Sequence, residues 1–364
     1  MKYAIALALA ALLAGCSMPL KVSQRQPADV EFPGILSEIP TDRPLDIVIV
    51  HGMCTHNSGW AESAAKEMLL TLGVEVSSRE MVDLGPDASG VKVFQQTYPV
   101  GARTVRISAV LWSPLTEPLK TSLCYDQSEK SDICKRSAAY PFPRATANRL
   151  LKDSIMDDCL SDALIYQGHS RDQINERMQM ALMRIATDPT TPIVLVTDSL
   201  GSKVTFDAID KMISDTHPAR SVAGEGLRDR ITHVFMRANQ IPILRLADLD
   251  LEGNPSTSVD GRNAYAADPI SAVFAQRVRK ISDRKPFVVA FSDPNDLLSY
   301  GIPTDFAKGC TLVNVCVSNQ NTYFGFVERP DTAHTTYSST RAVRQLMSCG
   351  TGTATCSPEA FKKE

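Results

Sequence analysis

The chain has 364 residues, 43% of them hydrophobic, and a formal net charge of −3. That length and apolar content suffice to bury the core of one large domain. The slightly acidic balance, with no basic stripe along the chain, excludes a protein built to hold nucleic acid.

Residues 1–15 open with Met1-Lys2 and stay apolar from Tyr3 to Ala14. A short positive start, a short apolar core and small residues before Cys16 predict a secretory signal peptide. The run is too short to span a bilayer as a mature helix. The ending Leu13-Ala14-Gly15-Cys16 resembles a bacterial lipobox. That resemblance implies a diacylglyceryl group on the Cys16 thiol, with Cys16 as the mature N-terminus. An ordinary signal peptide with a coincidental cysteine is the alternative. Ser17, rather than aspartate, follows; by resemblance to lipoprotein sorting this implies the outer membrane, on its periplasmic or surface face. Residues 16–44 are polar and carry Pro19, Pro27, Pro33, Pro40 and Pro44, a composition expected of a tether. No later segment is long and apolar enough to cross a membrane, so the lipid is the expected anchor.

The remainder, 45–364, reads as one α/β domain. Asp46 to Val50 is an apolar strand leading into His51-Gly52-Met53. Apolar residues at helical spacing (Trp60, Ala64, Ala65, Met68, Leu69 and Leu72) predict a helix over 58–72, stopped by Gly73. Val105 to Trp112 is the next predicted strand. Residues 113–170 then interrupt the alternation with polar loops and a helix expected over 145–166. Ser170 and Gln173 form a capping box for the helix that follows, whose buried face is Ile174, Met178, Ala181, Leu182 and Ile185.

Ile193 to Val196 is an apolar, largely β-branched strand. It runs into Thr197-Asp198-Ser199-Leu200-Gly201 and then into a helical pattern at Val204, Ala208, Ile209, Met212 and Ile213. A strand, a sharp turn carrying serine and a helix are the setting of a nucleophile elbow, G-x-S-x-G. Here Thr197 replaces the first glycine. A helix-capping serine in an ordinary turn is the competing reading. Further strands are predicted at 231–236, 287–291 and 312–317, and a last helix at 341–347. Strands alternating with helices predict a mainly parallel sheet with helices on both faces.

Three landmarks now stand in a fixed order: His51-Gly52 after an early strand, the serine elbow in mid-chain, then acid and histidine late. This order resembles the α/β-hydrolase superfamily over about residues 45–348, and within it the serine esterases and lipases. The resemblance implies an insertion, 113–170, before the nucleophile strand, placed to act as a cap. It implies Ser199 as nucleophile. A serine hydroxyl is a poor nucleophile unless a base takes its proton and a carboxylate orients that base. Of the six histidines, His51 and His56 lie in the loop after the first strand, His169 and His217 flank helices and His233 falls inside a strand. The superfamily places its base where His334 stands, in Ala333-His334-Thr335-Thr336-Tyr337. The acid belongs after the 287–291 strand, where Asp296 is preferred and Asp293 is the alternate. The backbone N–H groups of Leu200 and Met53 are the expected oxyanion donors.

The implied activity is hydrolysis of a lipid or acyl carboxylic ester through an acyl-enzyme, with no metal or organic cofactor. Two alternatives remain open: an inactive scaffold or binding lipoprotein, favoured by Thr197, and a thioesterase or amidase using the same triad. Asp248 to Gly253 copies the start of a calcium loop, but Val259 stands where a bidentate glutamate is needed. With Cys16 acylated, eight of the nine cysteines remain, an even number that suggests disulfides in an exported protein. Cys349–Cys356 and Cys124–Cys134 are the expected local pairs. Cys310 and Cys316 flank a predicted strand, which would hold them too far apart to join.

Overall fold

A computed structural model of the protein describes residues 17–19, 23–74, 79–126, 144–185, 187–255, 265–275, 284–323 and 328–351. The signal peptide and Cys16 lie outside the described residues, as do Cys134, Cys356 and Val259. No helix among the described residues is long and apolar enough to cross a membrane.

Eleven strands are described: β1 (Ser17–Pro19), β2 (Ser23–Gln26), β3 (Leu45–Val50), β4 (Val82–Asp83), β5 (Lys92–Val100), β6 (Arg103–Leu111), β7 (Ile193–Asp198), β8 (Ile231–Arg237), β9 (Phe287–Ser292), β10 (Thr311–Val317) and β11 (Asn321–Tyr323). Nine of them form one sheet in the order β2-β10-β9-β8-β7-β3-β6-β5-β4, and β1 pairs with β11 apart from it. The stretch from β10 to β6 is parallel throughout. The antiparallel strands β2, β5 and β4 lie outside it. The chain is thus an α/β protein with a mostly parallel sheet.

Side-chain alternation along the central strands builds two cores. In β3, Ile47 and Ile49 face one layer while Val48 and Val50 face the other. The first layer contains Ala61, Ala64, Ala65 and Met68 of the helix Ser58–Thr71, and Val343 and Met347 of the helix Arg341–Cys349. The second contains Val204, Ala208 and Ile209 of the helix Leu200–Ile213, and Ile174, Met178 and Leu182 of the helix Arg171–Ile185. Each such valine, leucine or isoleucine contributes about 1.5–3 kcal/mol relative to exposure. The last two helices are also joined by charge: Lys203 and Arg171 both pair with Asp207 and with Asp248, all four side chains nearly buried. Asp248, first residue of the calcium-like run, is therefore engaged by two cations.

Several expectations are corrected. The tether read over 16–44 contributes to the sheet and core from Ser23 onward. β2 pairs with β10, and Phe32, Ile35 and Ile39 are buried in the first core. Those three apolar side chains outweigh the prolines around them. The single helix expected over 145–166 is instead a helix Thr146–Leu150, a π-helix Leu151–Leu160 and a helix Ser161–Gln167. The predicted strand 105–112 starts earlier, at Arg103, and ends at Leu111. Strands β1, β2, β4, β5 and β11 have no counterpart among the predicted strands. Cys54 and Cys159 form a disulfide that the local spacing did not suggest. Cys124 and Cys349 are disulfide-bonded. Cys310 and Cys316, at the two ends of β10, are free.

Candidate active site

The site is assembled at the C-terminal ends of β3, β7, β9 and β10. Ser199 directly follows β7 and precedes the helix starting at Leu200. Its backbone has φ 51° and ψ −125°, a conformation that costs on the order of 1–3 kcal/mol in a non-glycine residue. The neighbouring backbone explains the glycines. A Cβ on Gly201 would lie 2.2 Å from the carbonyl oxygen of His51. One on Gly52 would lie 2.7 Å from the Ser199 Cβ. Gly52 and Gly201 thus let the loop after β3 touch the elbow directly. Thr197 is accommodated at the first-glycine position, fully buried, with its hydroxyl 2.9 Å from Ser202 Oγ. Ser199 N–H donates to the Arg237 carbonyl (2.8 Å), which ties the turn to β8.

His334 lies in a short helix, Pro330–Thr335, rather than in an open loop. Its Nε2 is 3.0 Å from Ser199 Oγ, across 135 residues of chain. Its Nδ1 is 2.8 and 2.9 Å from the two carboxylate oxygens of Asp296. Because Asp296 accepts at Nδ1, the tautomer is fixed with Nε2 unprotonated and open to the serine proton. Asp296 is 5% exposed. Burial opposes its ionisation, but the His334 ring, the Leu298 N–H and the Tyr337 hydroxyl together outweigh burial and hold its carboxyl below the usual range.

The two aspartates of the loop after β9 therefore separate by geometry. Asp296 touches the imidazole. Asp293 accepts from Asn295 N–H (2.9 Å) and Asn319 N–H (2.6 Å), closing its own turn and binding the β10 loop. Tyr337 joins them: its hydroxyl accepts from Asp293 N–H (2.7 Å) and donates to Asp296 Oδ2 (3.0 Å). Burial raises the Tyr337 phenol well above its ordinary value, which keeps it a donor. Tyr337 belongs to the quoted Ala-His-x-x-Tyr run, yet its contact with the acid was not read from sequence.

Leu200 opens the helix after Ser199, and Met53 lies in the loop after β3. Neither backbone N–H has an acceptor among the described residues. His51 is buried, stacked on Trp112, and its Nδ1 lies 2.7 Å from the Gly52 carbonyl. Its Nε2 accepts from the N–H groups of Trp112 (3.0 Å) and Ser113 (3.1 Å). Burial, with His56 beside it, pushes its pKa well below 6.5, so the ring stays neutral. His56 Nε2 lies 3.1 Å from the Met53 carbonyl, and burial lowers its pKa as well.

His169, His217 and His233 are not part of this cluster; His233 is stacked between Phe235 and Phe287 in and beside β8. Among the described residues, one group of three has metal-ligand spacing: Cys54, Asp158 and Cys159. Its two sulfurs are consumed by the disulfide, and an Asp158 oxygen is held by Lys120 and Thr55. No protein-family profile and no curated protein matches the sequence, so the site is read from its own chemistry: a hydroxyl, an imidazole and a carboxylate in hydrogen-bonded series, beside two unpaired amide N–H groups.

Proposed function

We propose that this protein is a serine hydrolase of the α/β-hydrolase type that cleaves carboxylic esters, with a lipid or acyl ester as substrate. Ser199 Oγ attacks the ester carbonyl while His334 Nε2 takes its proton. The Met53 and Leu200 N–H groups hold the oxyanion. Collapse of the tetrahedral intermediate expels the alcohol, which receives the proton from His334, and leaves an acyl-Ser199. Water, deprotonated by His334, then releases the carboxylic acid and restores the serine. Asp296 holds the imidazole tautomer and stabilises the imidazolium. The observation that carries this reading is the unbroken series Ser199–His334–Asp296 at 3.0 and 2.8 Å. The order of parallel strands around β7 supports the hydrolase fold.

Thr197 is the main ground for an inactive scaffold. Its bond to Ser202 and the retained elbow backbone at Ser199 weaken that ground. A thioesterase or amidase would use the same groups; assays on matched ester, thioester and amide separate these. The lipobox resemblance supports attachment at Cys16 to the bacterial outer membrane, bringing the site close to lipid substrates.

A fluorophosphonate probe on the full chain tests the proposal. Labelling of wild type and none of Ser199→Ala is expected, together with hydrolysis of a short-chain p-nitrophenyl ester by wild type alone. Folded wild type that neither labels nor hydrolyses ester overturns it.

A further inference from the structure

The insertion 113–170 is expected from sequence to cover the site, and several of its described residues are bonded to the loop after β3. Three links join the two segments, and a lysine of the insertion braces two of them. Asp162 Oδ2 accepts from Cys54 N–H at 2.8 Å. Asp158 Oδ1 accepts from Thr55 N–H at 3.1 Å and from the Thr55 hydroxyl at 2.6 Å. Lys120, with no exposed side chain, sets its Nζ 2.9 Å from Asp158 Oδ1 and 3.1 Å from Asp162 Oδ1. The Cys54–Cys159 disulfide adds a covalent link between the same two segments.

The effect on Met53 follows from peptide geometry. Cys54 has φ 80°, a left-handed conformation that a non-glycine residue keeps only when its surroundings over-determine it. The N–H groups of residues 54 and 55 are taken by the two carboxylates, and that of Met53 is not. The Gly52 carbonyl is held by His51 Nδ1. A planar trans peptide then aims the Met53 N–H the opposite way. The Met53 carbonyl is held by His56, and the Cys54 N–H of the same peptide by Asp162. Both peptides flanking Met53 are thus pinned at each end that does not face the reacting carbonyl. Lys120 also offsets one of the two negative charges brought near a position that must hold an anion.

We propose that the insertion is a strut for the oxyanion loop: Asp162, Asp158, Lys120 and the Cys54–Cys159 disulfide are positioning residues that hold the Met53 amide preorganised for the transition state. The inference rests on the esterase reading and adds to it a second region of the chain that sets turnover. Loss of the strut leaves the triad intact, so it lowers kcat and leaves KM nearly unchanged. It also discriminates between oxygen and sulfur. A thionoester develops its charge on sulfur, a poor hydrogen-bond acceptor, and so draws less from the Met53 and Leu200 N–H groups.

The test compares the full-length wild type with Asp162→Ala, Asp162→Asn and the double variant Cys54→Ala/Cys159→Ala, each first checked for folding by near-UV circular dichroism. Asp162→Ala and the cysteine double variant are expected to lose about tenfold to hundredfold in kcat on an ester. Their loss on the matching thionoester should be several-fold smaller, and Asp162→Asn, which keeps an oxygen for Cys54 N–H, should recover part of it. Should Asp162→Ala fail to fold, the cysteine variant carries the test, because it buries no unpaired charge. Variants that fold and keep kcat within about twofold of an active wild type, or that lose ester and thionoester turnover equally, overturn the strut and leave the esterase reading standing. A folded wild type without turnover or labelling instead overturns the esterase reading, and the strut's catalytic role with it.

Discussion

The loop bearing Asp296 and the loop bearing Met53 are held by different means. The first is secured in part by its own turn, which Asp293 closes, and in part by Tyr337, which comes from 41 residues along the chain to donate to the carboxylate. The second is secured from more than a hundred residues away, by Asp158, Cys159 and Asp162. Local turn chemistry leaves a signature in the neighbouring residues, whereas a long-range clamp leaves none. The difference teaches that the two halves of one site can both be held in place and yet be unequally visible in the sequence.

The contrast can be broken or sharpened by mutation. The largest effect is expected at the shared centre: Ser199→Ala lowers ester turnover by about 10⁴-fold or more in steady-state assays and abolishes fluorophosphonate labelling. On the acid side, Asp296→Asn should cost about 10⁴-fold in kcat, because an amide in its place favours the wrong imidazole tautomer. Asp293→Asn should leave kcat within about tenfold and lower the urea-unfolding free energy by about 1–3 kcal/mol, because it weakens a turn and a bond to Asn319. Equal losses of kcat in both variants would erase the distinction drawn between the two aspartates.

Tyr337→Phe should have a smaller effect, about tenfold in kcat, since it removes one neutral donor to a carboxylate that keeps two other partners. That same donor helps hold the Asp296 carboxyl low, so stability gained from its ionised form is present above the unfolded-state carboxyl pKa and is lost as pH falls through the lower folded value. Tyr337→Phe should shift this acid loss to higher pH, a change visible in urea melts below pH 5.

The smallest effect is expected far from the site. Burial pushes His233 down to about 3 from 6.5. Between those values the unfolded chain takes up a proton that the folded chain refuses. Stability therefore falls as pH drops below about 6.5, by at most about 1.4 kcal/mol per pH unit from this group. His233→Phe, in a stack already formed by Phe235 and Phe287, should reduce the fall in urea stability between pH 7 and pH 5 by about 1–2 kcal/mol while leaving turnover unchanged. An unaltered pH slope would show that the ring takes its proton in the folded state.

The parallel centre of the sheet was readable because β3, β7, β8 and β9 are mainly apolar runs, as strands buried on both faces must be. The elbow was readable because Gly201 cannot be anything larger against the His51 carbonyl. By contrast, β5 (Lys-Val-Phe-Gln-Gln-Thr-Tyr-Pro-Val) mixes polar and apolar residues irregularly, since only part of its length is covered. The resemblance favours Asp296 over Asp293 from sequence, and the contact of Asp296 with the imidazole is visible only in the fold, because both carboxylates follow β9. The positions of Ser199, His334 and Asp296 were chosen from a family order; their convergence is a matter of three-dimensional structure that one-dimensional spacing does not contain.

The short strand β2 has a practical consequence. It covers the outer edge of β10, with Gln26, Arg25, Gln24 and Ser23 opposite Asn314 to Val317. A secreted version made by trimming away everything before the first buried phenylalanine would strip that edge and bare a row of backbone donors and acceptors to neighbouring molecules. Soluble preparations should therefore begin no later than Ser23, and a shorter one should reveal itself by precipitating rather than by losing its chemistry.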